Sequence, residues 1–125
     1  MLQPKAIQEK NAKILKSIAS LGAMRKGSVC EQFQFLRRKN GSRLKRGPYL
    51  MYTCKKNGKT KGKRLSKKNA DVYRAQIDTF REFQKLCGQF VENNEQLAKI
   101  LEVRAAILVV VALLAVYLVI GHNAH

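Results

Sequence analysis

Residues 47–65, GPYLMYTCKKNGKTKGKRL, predict the β-structure on which the rest of the chain depends. Tyr49 to Lys55 is rich in aromatic and β-favouring residues, and Thr60 to Leu65 can return beside it. Asn57-Gly58 supplies the two positive-φ positions that a type I′ hairpin turn needs. Gly47-Pro48 predicts a rigid start to the first strand, because proline fixes its own φ and biases the preceding residue toward extended geometry.

The positive charge of the chain is concentrated around this hairpin. Residues 25–68 contain sixteen of the 25 lysines and arginines and a single acid, Glu31, so they hold +15 of the formal net charge of +17. Residues 69–125 are nearly neutral, at −1. Such a block attracts a polyanion, either nucleic-acid phosphate or an anionic lipid surface. The alternative is a structural hairpin whose lysines are simply solvated.

The candidate binding residues lie in two stretches, the hairpin and the segment before it. Residues 37–46, RRKNGSRLKR, predict a polar loop that turns at Asn40-Gly41 and is mobile without a ligand. The rings of Phe35, Tyr49 and Tyr52 are expected to stack on bases while basic side chains contact phosphate. The predicted nucleic-acid-binding residues are Arg37, Arg38, Lys39, Arg43, Lys45, Arg46, Tyr49, Tyr52, Lys55, Lys56, Lys59, Lys61, Lys63 and Arg64.

An amphipathic helix is expected near the N-terminus. In residues 5–21, KAIQEKNAKILKSIASL, isoleucines and Leu21 follow a seven-residue pattern in which Asn11 fills the missing position. This helix either packs on the rest of the domain or on a partner, or presents its lysines to a membrane surface or RNA. Gly22 and Gly27 end it, and residues 28–35 can then be a short strand or a helical turn.

A long helix is expected from Lys67 to about Arg104, with Ser66 as its N-cap. Phe83, Phe90 and Leu97 form one apolar row, beside a seam with heptad spacing. One row is expected to take the hairpin and the N-terminal helix, and the other a second copy in a homodimer. Alternatively, both rows form one intrachain core. The seam residues are Tyr73, Ile77, Phe80, Gln84, Cys87, Val91, Asn94, Ala98 and Leu101.

Residues 105–121, AAILVVVALLAVYLVIG, contain no charge and predict a transmembrane helix, followed by a tail of residues 122–125. A helix of this length spans about 25 Å, which lies within the usable range for membrane crossing. The alternative is a buried core helix, but a small domain has little apolar surface with which to cover one. Because all 25 bases precede the run, the positive-inside bias predicts a cytoplasmic N-terminal side.

No catalytic, metal-binding or cofactor-binding pattern occurs in the sequence. The three cysteines, Cys30, Cys54 and Cys87, are widely spaced, and both histidines lie at the C-terminus, so a four-ligand zinc site is not expected. The cysteines are expected to be free thiols in a reducing compartment. The glycines do not form a phosphate-binding loop, and no serine has a suitable histidine partner. We therefore expect neither an enzyme nor a bound cofactor.

A series of short motifs occurs in a fixed order along the chain: Met24-Arg25-Lys26-Gly27-Ser28-Val29, Glu31-Gln32-Phe33, Gly47-Pro48-Tyr49, Tyr52, Asn57-Gly58-Lys59, Tyr73, Phe80-Arg81 and Phe83. In these motifs the chain resembles a small prokaryotic domain family of unknown function, often found with transposase-like genes. The resemblance covers about residues 24–100 and implies nucleic-acid traffic by association only. Members of the family usually carry a cysteine cluster, which FLRRKNGSRLKR replaces here, so no metal site is carried over.

The expected fold class is α+β, with a basic β-hairpin packed on one long α-helix, a short N-terminal helix and a C-terminal transmembrane helix. The expected domains are 1–22, an amphipathic helix; 24–104, the hairpin and long helix; 105–121, the membrane segment; and the tail 122–125.

The expected function is a membrane-anchored, non-enzymatic module that binds nucleic acid without clear sequence specificity. The alternative is a structural single-pass membrane protein that oligomerises through its helix and holds anionic lipid headgroups. Interleaved aromatic residues favour nucleic acid. The roughly 35 helical residues before the apolar run also favour nucleic acid. As one extended helix they would hold the basic residues about 50 Å from a membrane. That distance exceeds a Debye length of about 8 Å.

Overall fold

Three antiparallel strands and two helices make up the protein in a computed structural model that describes residues 3–123. The predicted α+β class is therefore confirmed. In chain order the elements are α1 (Pro4–Ser20), β1 (Ser28–Arg37), β2 (Arg43–Lys56), β3 (Lys59–Leu65) and α2 (Lys67–Asn123). The terminal positions of the predicted N-terminal helix domain and tail, residues 1, 2, 124 and 125, lie outside the described residues.

The sheet has the strand order β1-β2-β3, with β2 in the centre. β2 and β3 form a hairpin in which Lys56 is paired with Lys59 across a two-residue turn. Asn57 and Gly58 in that turn have φ values of 52° and 77°. Positive φ at both central residues is the geometry whose twist matches that of antiparallel strands.

Half of the segment 37–46 is strand, so the prediction of a polar loop was wrong at both ends of the segment. Arg43, Lys45 and Arg46 belong to β2 and are paired with β1 across the sheet. The turn is confined to residues 38–42, where the backbone N–H of Arg38 donates to the carbonyl of Ser42 at 2.7 Å. A charged run can form a strand because its side chains project from the sheet while its backbone pairs with β1.

Gly47 departs from the extended geometry expected before a proline. Its φ is 125°, and the Gly47–Pro48 peptide bond is cis. The register between β1 and β2 shifts here, so that one residue of β1 is matched by two of β2 between the pairs Gln32–Tyr49 and Gln34–Arg46. A Cβ at Gly47 would lie 2.9 Å from the carbonyl oxygen of Gln32. Only glycine therefore fits this irregularity in the strand.

The chain divides into two compact units, and the sheet belongs to the unit Ser20–Lys85. Its small core combines Cys54 and Leu65 from the sheet with Ala70 and Ile77 from α2, all of them buried. At the start of α2, the backbone N–H of Asn69 donates to the Ser66 hydroxyl at 3.2 Å, so the predicted N-cap is confirmed. The cap and this core together position the first turns of α2.

The second unit comprises the described residues of Met1–Ala19 and Leu86–His125, which include most of α1 and the later part of α2. Ile7 of α1 and Ile100 of α2 are buried here. Between the helices, the Asn11 side-chain amide donates to Asn94 Oδ1 at 3.2 Å and accepts from Asn93 Nδ2 at 3.1 Å. Within this unit, then, α1 packs on α2 around a polar centre.

In the second unit, α1 covers only part of the predicted heptad seam. The seam residues Val91 and Leu101 are 54% and 53% exposed, whereas Phe90 and Leu97 of the neighbouring row are partly covered. The asparagine bonds reach the seam at Asn94, so α1 contacts the seam there and leaves Val91 and Leu101 open. A heptad pattern shows which residues can share a face but does not show which face a short partner helix covers.

The predicted long helix and membrane helix are one uninterrupted element, because α2 extends over 57 residues without a break at Arg104. Among residues 3–123, α2 is the one helix long and apolar enough to cross a membrane. Within its most apolar stretch nothing is buried. The choice of a membrane helix over a core helix stays a prediction.

Candidate nucleic-acid interface

The predicted basic residues form two groups at opposite ends of β2. The first group lies at the β1–β2 end of the sheet, and the second lies around the β2–β3 turn. The distance from Arg43 to Lys56 along the strand is roughly 40 Å at about 3.3 Å per residue. The first group is Arg37, Arg38, Lys39, Arg43, Lys45 and Arg46, and the second is Lys55, Lys56, Lys59, Lys61 and Lys63.

These side chains are exposed, and acids of the protein do not neutralise them. The two ion pairs found in the described part of the chain join Arg74 to Asp71 and Arg81 to Asp78, both within α2. Both pairs have the i,i+3 spacing at which side chains of a helix are neighbours. Glu31, the lone acid of the basic block, takes part in neither pair. The sheet therefore presents a strip of positive charge that an external anion can neutralise.

Tyr49 and Arg64 meet in the middle of the sheet, on the face opposite to that of Lys59, Lys61 and Lys63, because neighbouring residues of a strand point to opposite faces. The Arg64 Cζ lies 3.8 Å from the centroid of the Tyr49 ring, which places the guanidinium over the ring face. Nearby, the Lys45 Nζ lies 4.0 Å from the centroid of Phe33. Phe35, two residues along β1, is 64% exposed. Aromatic rings and cations thus lie together at two places on the sheet, a combination also found in surfaces that bind single-stranded nucleic acid.

Tyr52 has protein neighbours where the sequence suggested bases. Its ring packs edge-on against Tyr73 of α2, with the centroids 5.0 Å apart and the planes at 83°. Its hydroxyl donates to the backbone carbonyl of Lys26. Burial raises the pKa of this hydroxyl above its ordinary value, and the nearby Cys54 thiol acts in the same direction, while the nearby Arg25 acts against both. Tyr52 therefore joins the sheet to α2, and we leave it out of the stacking surface.

Arg25 has a role that sequence reasoning missed, because there it was only one of sixteen bases. Its backbone N–H donates to the carbonyl of Gln76 at 3.1 Å, and its Nε donates to Gln76 Oε1 at 3.0 Å. Its Cζ lies 3.9 Å from the centroid of Tyr73 and 5.5 Å from that of Tyr52. This arginine fastens the segment before β1 to α2. In the sequence, the only feature that marked Arg25 was its position two residues before Gly27 in a motif that carries the family resemblance.

Lys63 is also partly engaged within the protein. Its Nζ donates to the Tyr73 hydroxyl at 3.4 Å. Lys59 and Lys61 lie four and two residues before Lys63 on β3, so all three share one face of the strand. Strand pairing brings Lys61 opposite Cys54. Lys59 and Lys61 are thus the β3 lysines best placed to reach an external anion.

The described residues do not assemble a metal site. Among residues 3–123 no group of three or more His, Cys, Asp or Glu side chains is placed to hold a metal ion. The cysteines Cys30, Cys54 and Cys87 are unpaired in disulfides. The expectations of a non-enzymatic protein and of no cofactor remain predictions.

Searches of protein-family models, curated proteins and solved structures found no match for this chain. The resemblance to a prokaryotic family found with transposase-like genes therefore stays a prediction. The functional proposal that follows rests on the geometry of the sheet and on the composition of α2.

Proposed function

We propose that this protein is a membrane-anchored module that binds nucleic acid along β2 through the phosphate backbone. The observation that supports the proposal is the exposed basic strip with aromatic rings at its centre. In the described residues, the lysines and arginines of the strip form no ion pairs with acids of the protein. Their attraction for a polyanion is therefore not reduced by internal ion pairs. Neutralising phosphates with lysine and arginine releases counterions, which provides most of the affinity in non-specific binding.

The length of the strip suggests the length of the ligand. Both basic groups can be engaged only by a polyanion of roughly 40 Å or more. On duplex DNA, with 3.4 Å per base pair, this corresponds to about twelve base pairs. Affinity should therefore rise with oligonucleotide length up to about this size. Beyond it, affinity should rise only slowly, because a longer strand merely offers more positions at which the protein can bind.

The membrane part of the proposal concerns residues 105–121 of α2. We propose that this segment spans a bilayer once and that the basic sheet lies on the cytoplasmic side. The apolar stretch is exposed along its length, and no base follows Arg104 in the sequence. Both features agree with a single-pass helix that obeys the positive-inside rule.

The test uses the full-length protein in nanodiscs of zwitterionic lipid, titrated with a labelled duplex oligonucleotide. If six to ten phosphates are engaged, affinity should fall roughly 10³- to 10⁵-fold between about 50 and 200 mM salt. Absence of binding at the lower salt, or binding that does not respond to salt, would reject the proposal.

A second candidate function is a structural membrane protein that self-associates and holds anionic headgroups. The exposed Val91 and Leu101 favour it, because they offer an apolar row to a second copy. Each lysine or arginine near an anionic lipid surface contributes about 1 kcal/mol to membrane binding. The same nanodiscs with added phosphatidylserine separate the two candidates. Lipid that competes fully with the oligonucleotide, together with a dimer whose formation requires Val91 and Leu101, would favour this candidate.

A further inference from the structure

A groove in the middle of the basic strip has a shape and chemistry that the phosphate backbone alone does not need. Its volume is about 280 Å³, and it is open to solvent. Gln32 and Gln34 contribute amide side chains, while Met51 adds an apolar surface. The remaining lining residues are Phe33, Tyr49 and Arg64. The groove therefore combines a ring stack, two amides and one cation in a single place.

The stack of Arg64 on Tyr49 provides a flat, cationic platform. Tyr49 is half-buried and Arg64 is exposed, so the guanidinium forms the outer layer. Bases of single-stranded nucleic acid commonly stack on aromatic rings or on arginine guanidinium planes. A further planar group on Arg64 would extend the stack by one layer.

The two glutamines can recognise the edge of such a planar group. Each amide offers a carbonyl acceptor and two N–H donors, which match the polar edge of a nucleobase. Gln32 and Gln34 are two residues apart on β1, so the alternation of the strand places them on the same face of the sheet. Phosphate has no donor groups that would use the amide carbonyls, so these residues suit a base.

We propose that this groove binds one unpaired nucleobase, stacked on Arg64 and contacted at its edge by Gln32 and Gln34. The inference rests on the proposed function, because basic side chains on the same face of the sheet, such as Lys55 of β2, hold the flanking phosphates. A base inside a duplex is covered on both faces and engaged at its pairing edge, so it cannot enter without leaving the stack. The protein therefore prefers single strands, or duplexes with an unpaired base.

The experiment compares three probes on the full-length protein in zwitterionic nanodiscs: single-stranded oligothymidylate, the abasic strand of the same length, and the matched duplex. The abasic strand has the same phosphates without bases, so it measures the contribution of charge alone. Base stacking predicts that oligothymidylate binds about 5- to 100-fold more tightly than the abasic strand. Equal affinity for these two strands would overturn the inference while leaving phosphate binding intact. If none of the probes binds at low salt, the proposed function fails as well.

Two variants assign the effect to the groove. Arg64→Lys keeps the charge but removes the planar guanidinium, so it should lower oligothymidylate affinity toward that of the abasic strand without changing abasic binding. Lys55→Gln, a control outside the groove on the same face of β2 as Tyr49, should weaken both strands by the same factor. Since both side chains are exposed, neither change should unfold the sheet. If Arg64→Lys leaves the base preference unchanged, the groove is not the base site.

Discussion

The sheet unit and the apolar end of α2 are both largely exposed, but their surfaces need opposite surroundings. Exposed lysines and arginines are well solvated, so the surface of the sheet is compatible with water and attracts a polyanion through its charge. The side chains of residues 107–111 are between 54% and 68% exposed and wholly apolar, a surface that water disfavours. The comparison teaches that exposure alone does not define a binding surface. The chemistry of the exposed atoms decides whether the partner is a polyanion or a lipid.

Salt separates the two regions experimentally. Binding to the sheet should weaken steeply as salt rises, because counterion release drives it. Retention of α2 in a bilayer should not weaken, because the hydrophobic effect does not depend on charge screening. The predictions below challenge each side of this contrast in turn.

The largest effect is expected from charges placed in the apolar segment. Leu113→Lys together with Leu114→Lys should cost about 5 to 7 kcal/mol of insertion free energy, at roughly 2.5 to 3.5 kcal/mol per central lysine. The native protein should stay in the membrane pellet after carbonate extraction, and the double variant should be released. Leu113→Ile with Leu114→Ile is the control. Release of the native protein would contradict the membrane proposal.

The next largest effect is expected in nucleic-acid binding. Replacing Lys55, Lys56, Lys59, Lys61 and Lys63 with Gln should remove most of the affinity measured at low salt. It should also flatten the salt slope by roughly 0.9 per lost contact on duplex DNA. Circular dichroism should be unchanged, because surface substitutions usually alter stability by within about 0.5 kcal/mol each. An unchanged salt slope would mean that the basic group at the β1–β2 end makes the phosphate contacts instead.

The turn at Asn57-Gly58, the cap at Ser66 and the apolar run could be read from the sequence, because each depends on a few adjacent residues. The groove could not. It requires Gln32 and Gln34 of β1 beside Tyr49 of β2, and that register depends on the shift at Gly47. Residues 37–46 were misjudged for a related reason: strand pairing satisfies backbone groups, and a count of charged side chains does not reveal it.

Interactions made at a distance in sequence were also missed. Tyr52 was assigned to bases because of its neighbours along the chain, yet its ring meets Tyr73 and its hydroxyl meets Lys26. The heptad seam was identified from residue spacing, and that spacing does not show which part of α2 is covered by α1. In both cases the deciding contact joins residues far apart in sequence.

A smaller effect, confined to the sheet side of the comparison, is expected from Gly47→Ala. The added Cβ meets the Gln32 carbonyl at 2.9 Å, and alanine resists a φ of 125°, so we expect a loss of about 1 to 3 kcal/mol. Gly62→Ala is the matched control, since its Cβ would meet only ordinary contacts, at 3.5 Å from Met51. Chemical denaturation monitored by tyrosine fluorescence measures both. Equal stability of the two variants would show that the strand adapts at Gly47.

The other unit can be weakened separately through its asparagine cluster. Asn11→Ala leaves Asn93 and Asn94 without their α1 partner and should cost about 1 to 3 kcal/mol. Hydrogen exchange by mass spectrometry should show faster exchange in α1 and unchanged protection in β1–β3. Gln8→Ala, on an exposed position of the same helix, serves as the control. Equal loss of protection in the sheet would mean that the units are not independent.

The smallest effect concerns the pH dependence of the sheet unit. The raised pKa of Tyr52 means that the folded state holds this proton more tightly than the unfolded state does. Stability should therefore be complete below the ordinary tyrosine pKa of about 10 and decline as the pH rises above it. Tyr52→Phe should lower stability at neutral pH by about 1 kcal/mol through the lost hydrogen bond and should reduce the alkaline decline. An identical alkaline decline in the variant would assign it to other groups.

The charged edge strand β3 has a consequence for self-assembly. Four of its seven residues are lysine or arginine, and lysines on an edge are a common means of preventing two sheets from joining edge to edge. Mutual repulsion thus keeps free copies dispersed. A polyanion that neutralises β3 removes that repulsion and at the same time concentrates several copies along one strand. Ligand-dependent clustering, reversed by salt, is the behaviour to expect from such an edge.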